Sequence, residues 1–318
     1  MKKLPSSKQF EQNWSQGVIQ CPECGTANNI SDLTLLAFNP CKKCGKSFFA
    51  AKKISSFFLF EPAGGGGMGS VYKAVSTEFP NRLIAVKLLS REDCNKPTNV
   101  KALLNEARIS SLFKESQYIA ACLDAGFDNG EYFTAMDFIE GERLDKMIER
   151  LGHIPEKQLL PLVKHLLAAE QHIFRLGYLF RDLKPENIII TPNGYAVLLD
   201  FGLCIPRTQA LNAGDEYVSG SPYYIPPERL LGQPEDARSE IYSLGMIMYF
   251  ALTGKTYYNA DEANALAKRH LSTLRIANET KMQGISPNLA KVLVSMISQT
   301  PDSRPASFIE LYNIIDKL

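Results

Sequence analysis

Four cysteines near the start of the chain have the spacing of a metal site. They form two C-x2-C pairs, Cys21 with Cys24 and Cys41 with Cys44, separated by 16 residues. Two such pairs can present four thiolates to one ion, which is the arrangement of structural zinc sites. We therefore predict a structural Zn²⁺, with iron in a rubredoxin-like site as the alternative metal. Two disulfides or a redox pair are less favoured, because the cytosol reduces disulfides and a redox motif needs only one pair.

A glycine-rich segment further along the chain could bind phosphate. Residues 64–70 read G-G-G-G-M-G-S, with a G-x-G-x-x-G match at Gly64, Gly66 and Gly69. Glycines lack a Cβ, so the backbone can approach phosphate oxygens closely. A dinucleotide-binding loop would open a helix, whereas residues on both sides of this segment favour strands. The pattern indicates a hairpin that lies over the phosphates of a nucleotide.

A lysine in the next predicted strand can reach the same phosphates. Residues 84–87 read I-A-V-K, and the following helix, predicted over 100–113, carries Glu106, 19 residues after Lys87. An ion pair between the two side chains would hold the lysine in place.

Two aspartates lie in motifs on either side of a predicted hairpin. Residues 180–187 read F-R-D-L-K-P-E-N, and D-F-G follows at 200–202. Between them, P-N-G at 192–194 separates two short apolar strands, which is a hairpin signal. The hairpin would bring Asp182 and Asp200 near each other.

The elements that must position these residues belong to a globular protein. The chain has 318 residues, of which 45% are hydrophobic and 22% charged, with a net charge of +1. This composition excludes a disordered, collagen-like or coiled-coil chain and gives no overall attraction to nucleic acid or membrane. The apolar segment 241–254 is too short for a bilayer span, and no apolar run follows the basic N-terminus. We expect a cytoplasmic protein.

From residue 56 onward, the motifs resemble serine/threonine protein kinases, in particular the eukaryotic-like kinases of bacteria. The resemblance implies an α+β, bilobal fold with a small β-rich N-lobe, a larger, mainly helical C-lobe and ATP between them. Residues near the four cysteines resemble a zinc ribbon. The predicted organisation is an N-terminal tail at 1–17, a zinc ribbon at 18–48, a linker at 49–56 and a kinase domain at 57–318, with an N-lobe of about 57–138 and a C-lobe of about 139–318.

The resemblance assigns catalytic roles to four residues. Lys87 grips the α- and β-phosphates of ATP, and Glu106 orients it. Asp182 accepts a hydrogen bond from the substrate hydroxyl and takes its proton late in the transfer. Lys184 neutralises the γ-phosphate, and a lysine at that position is typical of serine/threonine rather than tyrosine kinases.

Nucleotide and metal contacts are implied in the same way. Asn187 and Asp200 are the implied ligands of Mg²⁺ (or Mn²⁺), which prefers oxygen. The implied ATP contacts come from the glycine loop, the adenine sandwich and the hinge: Gly64, Gly66, Gly69, Val71, Ala85, Lys87, Met136, Asp137, Ile139 and Ile189.

An activation segment is implied between Asp200 and Glu228. Its end, G-S-P-Y-Y-I-P-P-E at 220–228, resembles a substrate-docking loop, and we expect Glu228 to form a buried ion pair with Arg304. Arg181, beside the catalytic aspartate, is typical of kinases in which a phosphate on this segment faces the arginine.

Thr208 and Ser219 are the predicted regulatory phosphosites. Asp215 or Glu216 is the alternative, as a constitutive negative charge facing Arg181.

Several positions depart from the family pattern, among them Gly65 in the glycine loop and a proline for the usual alanine at Pro226, and two of the departures lead to an alternative function. Phe180 replaces the usual histidine, and Glu240 the usual aspartate. Neither removes a catalytic group, but both are compatible with a pseudokinase-like scaffold that binds nucleotide without catalysis.

The ribbon offers a further alternative. Residues 1–56 carry eight lysines and three acidic residues, a net charge of +5, so the ribbon could lead a nucleic-acid or protein-binding function. Four thiolates and one Zn²⁺ reduce that charge to +3, and so modest a charge disfavours nucleic acid. We favour a ribbon that regulates the kinase or docks a partner protein, with proteins carrying serine or threonine as substrates.

Overall fold

The computed structural model describes residues 5–66, 69–212, 220–260, 262–272 and 282–318. The chain divides into two compact units, one of Met1–Ser111 with Ala121–Phe138 and one of Leu112–Ala120 with Ile139–Leu318. Within the described ranges, every helix is too short or too polar to cross a membrane.

The cysteine-rich part of the first unit consists of a helix and two small hairpins. Helix α1 (Ser7–Ser15) begins at Ser6, whose hydroxyl accepts a hydrogen bond from the Gln9 N–H. Strand β1 (Val18–Gln20) pairs antiparallel with β2 (Ala27–Asn29), and β3 (Phe38–Pro40) with β4 (Ser47–Phe49). A C-x-x-C turn follows β1 and another follows β3. The hairpins share a small core formed by Ile19, Cys21, Cys41, Phe48 and Ala50.

A six-stranded antiparallel sheet forms the rest of this unit, together with two helices. The strand order is β5-β6-β7-β8-β10-β9. The strands are β5 (Lys52–Ile54), β6 (Phe57–Gly66), β7 (Gly69–Ser76), β8 (Ile84–Leu89), β9 (Cys122–Asp128) and β10 (Glu131–Asp137). The helices are α2 (Arg91–Cys94) and α3 (Pro97–Ser110). Alternate apolar side chains of these strands meet in one core, which includes Phe57, Leu59, Val86 and Phe133.

The segment 49–56 connects the hairpins to the sheet and also belongs to it. Lys52, Lys53 and Ile54 form β5, which pairs with Phe57–Leu59 of β6. The sequence analysis describes this segment only as a linker. Its three-residue strand carries no alternating pattern that sequence reasoning could have detected.

The second unit is mainly helical. Its helices are α4 (Leu144–Leu151), α5 (Glu156–Arg175), α6 (Arg207–Ala210), α7 (Pro227–Leu230), α8 (Ala237–Thr253), α9 (Ala263–Leu271), α10 (Pro287–Met296) and α11 (Phe308–Ile315). Helix α8 is buried on nearly all sides, which explains why its sequence after Glu240 is mostly apolar rather than amphipathic. It ends at Gly254, whose φ of 67° is a left-handed conformation that favours glycine.

Short strands in the second unit hold the loops with the two predicted aspartates. Strand β11 (Glu142–Arg143) pairs with β13 (Ile188–Ile190), and β13 pairs with β14 (Ala196–Leu198). Strand β12 (Tyr178–Leu179) pairs with β15 (Ile205–Pro206). The predicted hairpin around residues 192–194 is thus the β13–β14 hairpin.

Candidate functional site

The four predicted zinc ligands come together. Their sulfur atoms all lie within 4.8 Å of one another, with 3.8 Å between Cys21 and Cys44 and 3.7 Å between Cys24 and Cys41. A tetrahedral Zn²⁺ with bonds of about 2.3 Å would separate its sulfurs by about 3.8 Å. Backbone N–H groups of Cys44 and Lys43 lower the pKa of Cys41 to about 6, which favours the metal-binding thiolate. The cluster therefore fits a four-thiolate metal ion.

The glycine-rich segment is the turn between β6 and β7. Gly64 pairs with Val71, Gly65 with Ser70 and Gly66 with Gly69, so this is a strand–loop–strand hairpin and not the start of a helix. A Cβ on Gly69 would collide with the carbonyl oxygen of Leu88, whereas a Cβ on Gly64 would meet nothing within 4 Å. Close packing on β8 thus explains one of these glycines without any ligand.

Lys87 and Glu106 approach each other as predicted from their spacing. Lys87 lies in β8 and Glu106 in α3, with 3.4 Å between Nζ and Oε2. Both side chains are largely buried, so the pair is shielded from solvent. The lysine is thereby held by the helix glutamate.

The predicted adenine contacts are divided between the two units. Ala85 pairs with Met136 across β8 and β10, and Val71 pairs with Lys87 across β7 and β8. Asp137 ends β10, and Arg82 lies 3.4 Å from its carboxylate. In the second unit, Ile139 follows β10 in sequence and Ile189 lies in β13.

Asp182 is the centre of a compact polar group in the second unit. Its Oδ2 accepts hydrogen bonds from Lys184 Nζ at 2.7 Å and Asn187 Nδ2 at 2.8 Å. The aspartate is only 6% exposed, yet its Oδ1 has no hydrogen-bond partner among the described residues. A buried acceptor without a partner is costly, so Oδ1 retains the capacity to accept one further hydrogen bond.

Asp200 follows the β13–β14 hairpin closely. The N–H of Leu199, the residue before Asp200, donates to the carbonyl oxygen of Asn187 at 2.8 Å. This hydrogen bond brings the backbone at Asp200 close to the backbone at Asn187. Asp200 is exposed, and its Oδ1 accepts the Gly202 N–H at 3.2 Å. Asp200 and Arg181 have φ values of 63° and 68°, and such backbone strain clusters at functional sites.

Two of the departures from the family pattern have clear packing roles. Phe180 is fully buried, and its ring centroid lies 5.1 Å from that of Phe201. Glu240 Oε1 accepts the Arg181 N–H at 2.8 Å, so its extra methylene is accommodated while the anchor to the loop is kept. Burial raises the pKa of Glu240 to about 7.

The expected ion pair at the end of the docking segment is present. Arg304 donates to Glu228 through Nη1 at 2.7 Å and Nη2 at 3.0 Å, inside the second unit. The Ser239 hydroxyl also donates to Glu228 at 2.6 Å.

A histidine that sequence reasoning passed over supports the same segment. His270 in α9 lies 2.9 Å from the Pro222 carbonyl through Nε2 and 2.7 Å from the Tyr242 hydroxyl through Nδ1. A carbonyl can only accept, so Nε2 carries the proton and Nδ1 accepts the tyrosine O–H. Burial lowers the pKa of His270 to about 4, which keeps the ring neutral.

The structure describes only one of the two predicted phosphosites. Thr208 lies exposed on α6, while Ser219, Asp215 and Glu216 fall outside the described residues. Among the residues that the structure describes, the carboxylate that meets the Arg181 side chain is Glu235, at 2.9 Å, and it belongs to none of the motifs in the sequence analysis.

Comparison with known proteins also identifies a protein kinase. The protein kinase domain family matches residues 59–313. The chain is 28% identical to a probable serine/threonine-protein kinase of Clostridium perfringens, over 82% of this chain and 38% of that protein. It is 30% identical to serine/threonine-protein kinase PknH of Mycobacterium tuberculosis, over 77% of this chain and 39% of that protein. It is 34% identical to serine/threonine-protein kinase PknA of the same species, over 65% of this chain and 48% of that protein. The chain thus spans less than half the length of these relatives.

Proposed function

Because this chain belongs to the protein kinase family, we propose that it transfers the γ-phosphate of ATP to serine or threonine hydroxyls of proteins. The observation that carries the proposal is the environment of Asp182. One carboxylate oxygen is held by Lys184 and Asn187, and the other is buried with no partner among the described residues. That arrangement suits a carboxylate that receives a substrate O–H.

In the proposed reaction, the substrate oxygen attacks the γ-phosphorus in line with the leaving ADP. The bond from the γ-phosphorus to the bridging oxygen breaks, ADP takes that electron pair, and the hydroxyl proton passes to Asp182. Lys184 balances negative charge on the transferred group. Asn187 and Asp200 would hold Mg²⁺, which when bound neutralises phosphate charge.

We propose that ATP binds to the residues that the sequence analysis predicts for it. Lys87, held by Glu106, would contact the α- and β-phosphates, and the β6–β7 hairpin would lie over them. Serine/threonine selectivity is proposed from Lys184 and from Ser221 in the docking segment.

We propose Zn²⁺ as the ion of the cysteine cluster, bound by Cys21, Cys24, Cys41 and Cys44. The role proposed for it is structural, since four thiolates leave no open coordination position. Thiolates of this kind persist in a reducing compartment, which supports a cytoplasmic location. Docking of a partner protein to the ribbon is a further part of this proposal.

The test is the intact mass of the purified chain after incubation with Mg·ATP, alone and with a serine- and threonine-rich protein substrate. We expect added phosphates on the chain or on the substrate, and none with Asp182→Asn. ATP binding without phosphate transfer to either would instead favour the nucleotide-binding scaffold.

A further inference from the structure

Arg181 has a buried acidic partner within the chain. Its Nη2 lies 2.9 Å from Glu235 Oε1, and the two side chains are 12% and 5% exposed. The Glu235 N–H donates to the carbonyl oxygen of Ala210 at 2.9 Å. Glu235 therefore ties together the arginine beside Asp182 and helix α6, which carries Thr208.

A second arginine completes this group. Arg229 donates through Nε and Nη2 to Glu235 Oε2, at 2.8 and 2.7 Å. Its Nη1 donates to the carbonyl oxygen of Arg181 at 2.6 Å. The two oxygens of Glu235 thus serve two guanidinium groups, one oxygen each.

These contacts hold Arg181 at three points. Glu240 accepts its backbone N–H, Arg229 donates to its backbone carbonyl, and Glu235 holds its side chain. A non-glycine residue with a φ of 68° persists only where its surroundings fix it. Because Asp182 is the next residue, the same contacts set the direction of the catalytic carboxylate.

The charges make Glu235 the critical member. Without it, two buried guanidinium groups would lie together, and Glu240 is 3.9 Å from the nearer one, Arg229. An uncompensated buried charge is strongly unfavourable. Removing the Glu235 charge should therefore push Arg181 away from its position.

We propose that Glu235 is a positioning residue of the catalytic loop, with a built-in carboxylate that holds Arg181 without a phosphate on the activation segment. The inference rests on the kinase function proposed above. It is an alternative to the sequence-based expectation that Thr208, Ser219 or a neighbouring acid supplies the charge facing Arg181.

The experiment compares Glu235→Gln and Glu235→Asp with Leu293→Ala, which removes a buried side chain of α10 outside this group. For Glu235→Gln we expect kcat to fall at least ten-fold, with KM for ATP within two-fold. Hydrogen exchange in peptides spanning 178–187 should rise. Glu235→Asp should recover most of kcat, and Leu293→Ala should not raise exchange selectively in those peptides.

A double-mutant cycle asks whether Glu235 acts through Arg181. The losses in kcat for Arg181→Met and Glu235→Gln should combine to less than their sum in the double variant, because both changes break the Arg181–Glu235 ion pair, although Glu235→Gln also breaks the contact with Arg229. The double variant leaves one buried guanidinium, Arg229, without its carboxylate, whereas Glu235→Gln leaves two, so the double variant remains informative if Glu235→Gln does not fold. Additive losses would overturn the proposal.

The last part of the experiment tests whether activity requires a phosphate on the activation segment. Phosphatase-treated chain carrying Thr208→Ala and Ser219→Ala should keep kcat within two-fold of the untreated wild type, and a ten-fold loss would overturn the built-in role of Glu235. Unchanged kcat and exchange in Glu235→Gln would also overturn it. If the wild type transfers no phosphate, increased exchange in Glu235→Gln would still support positioning, while the proposed function would fail.

Discussion

Glu170 and Glu240 are two acidic residues enclosed in the second unit. Both are 1% exposed. Burial, together with the charge of Glu240, raises the pKa of Glu170 well above its usual range, and burial raises that of Glu240 to about 7. Each has one oxygen with no hydrogen-bond partner among the described residues. Their protonation therefore contributes to stability.

The first prediction concerns pH. A carboxyl whose pKa is higher in the folded chain than in the unfolded chain makes stability fall as pH rises, here from about 4.5 to about 7 for Glu240. Glu240→Gln keeps an oxygen for the Arg181 N–H and cannot ionise. Its melting temperature should fall less than that of the wild type between pH 5 and 8. Glu149→Gln, an exposed control, should show the same pH dependence of the melting temperature as the wild type. If the melting temperature of Glu240→Gln fell with pH as much as that of the wild type, the raised pKa of Glu240 would be contradicted.

The second prediction concerns Glu170. Replacing a buried carboxyl that has an unsatisfied oxygen by an apolar side chain of similar size should stabilise the chain by about 1–3 kcal/mol. Glu170→Leu should therefore raise the free energy of unfolding measured in denaturant, whereas Glu170→Gln should change it little. A large loss of stability in Glu170→Leu would mean that the carboxyl has a partner such as a buried water.

Residues that belong to recognisable motifs were the ones that could be predicted. Asp182, Lys184 and Asn187 belong to one short motif, and one loop brings them together. Glu235 and Arg181 are far apart in the chain, and a single glutamate carries no periodicity or spacing signal. Their ion pair depends on tertiary packing of the loop after α7, which no local pattern encodes.

At the scale of elements, two hairpins and helix α3 follow from the sequence, while short connecting elements do not. The β6–β7 and β13–β14 hairpins have strand-forming residues and turn signals. Helix α1 packs on the six-stranded sheet through Phe10, which stacks on Phe58 at 5.7 Å, and through an ion pair of Glu11 with Lys53 at 2.9 Å. These contacts join residues more than forty positions apart, so composition alone cannot reveal them.

The third prediction tests the packing of α1. Deleting residues 1–16 removes the cover over Phe58 and the partner of Lys53, a loss of about 2 kcal/mol for one large apolar group. The melting temperature should fall by about 4–8 °C, with the metal content unchanged. Deleting only residues 1–4 is the matched control. An equal melting temperature for both deletions would show that α1 does not stabilise the sheet.

For the molecule as a whole, the cysteine cluster and the six-stranded sheet belong to one compact unit. Leu36, between the hairpins of the cluster, packs against the core of the sheet, and Phe49 of β4 lies 6.3 Å from Tyr72 of β7. Metal binding in the cluster should therefore stabilise the sheet that carries the glycine-rich hairpin and Lys87.

The fourth prediction follows from this coupling. The purified chain should contain about one zinc ion per molecule, and Cys41→Ser should abolish it. Removing the ion with a chelator should lower the unfolding temperature of the first unit. Elemental analysis measures the zinc content, and thermal melts measure the unfolding temperature. Cys94→Ser, which lies outside the cluster, should retain both metal and stability. Full stability of the metal-free chain would contradict a structural role for the ion.

Trp14 in α1 is the one tryptophan of the sequence, and its ring meets the edge of Phe58 at 6.4 Å. Excitation at wavelengths that tyrosine does not absorb therefore yields emission from a single fluorophore at the junction of helix and sheet. The natural chain carries its own optical reporter there, and nothing has to be attached. Stopped-flow fluorescence can then follow how fast a metal ion or nucleotide disturbs that junction, without a contribution from the rest of the protein.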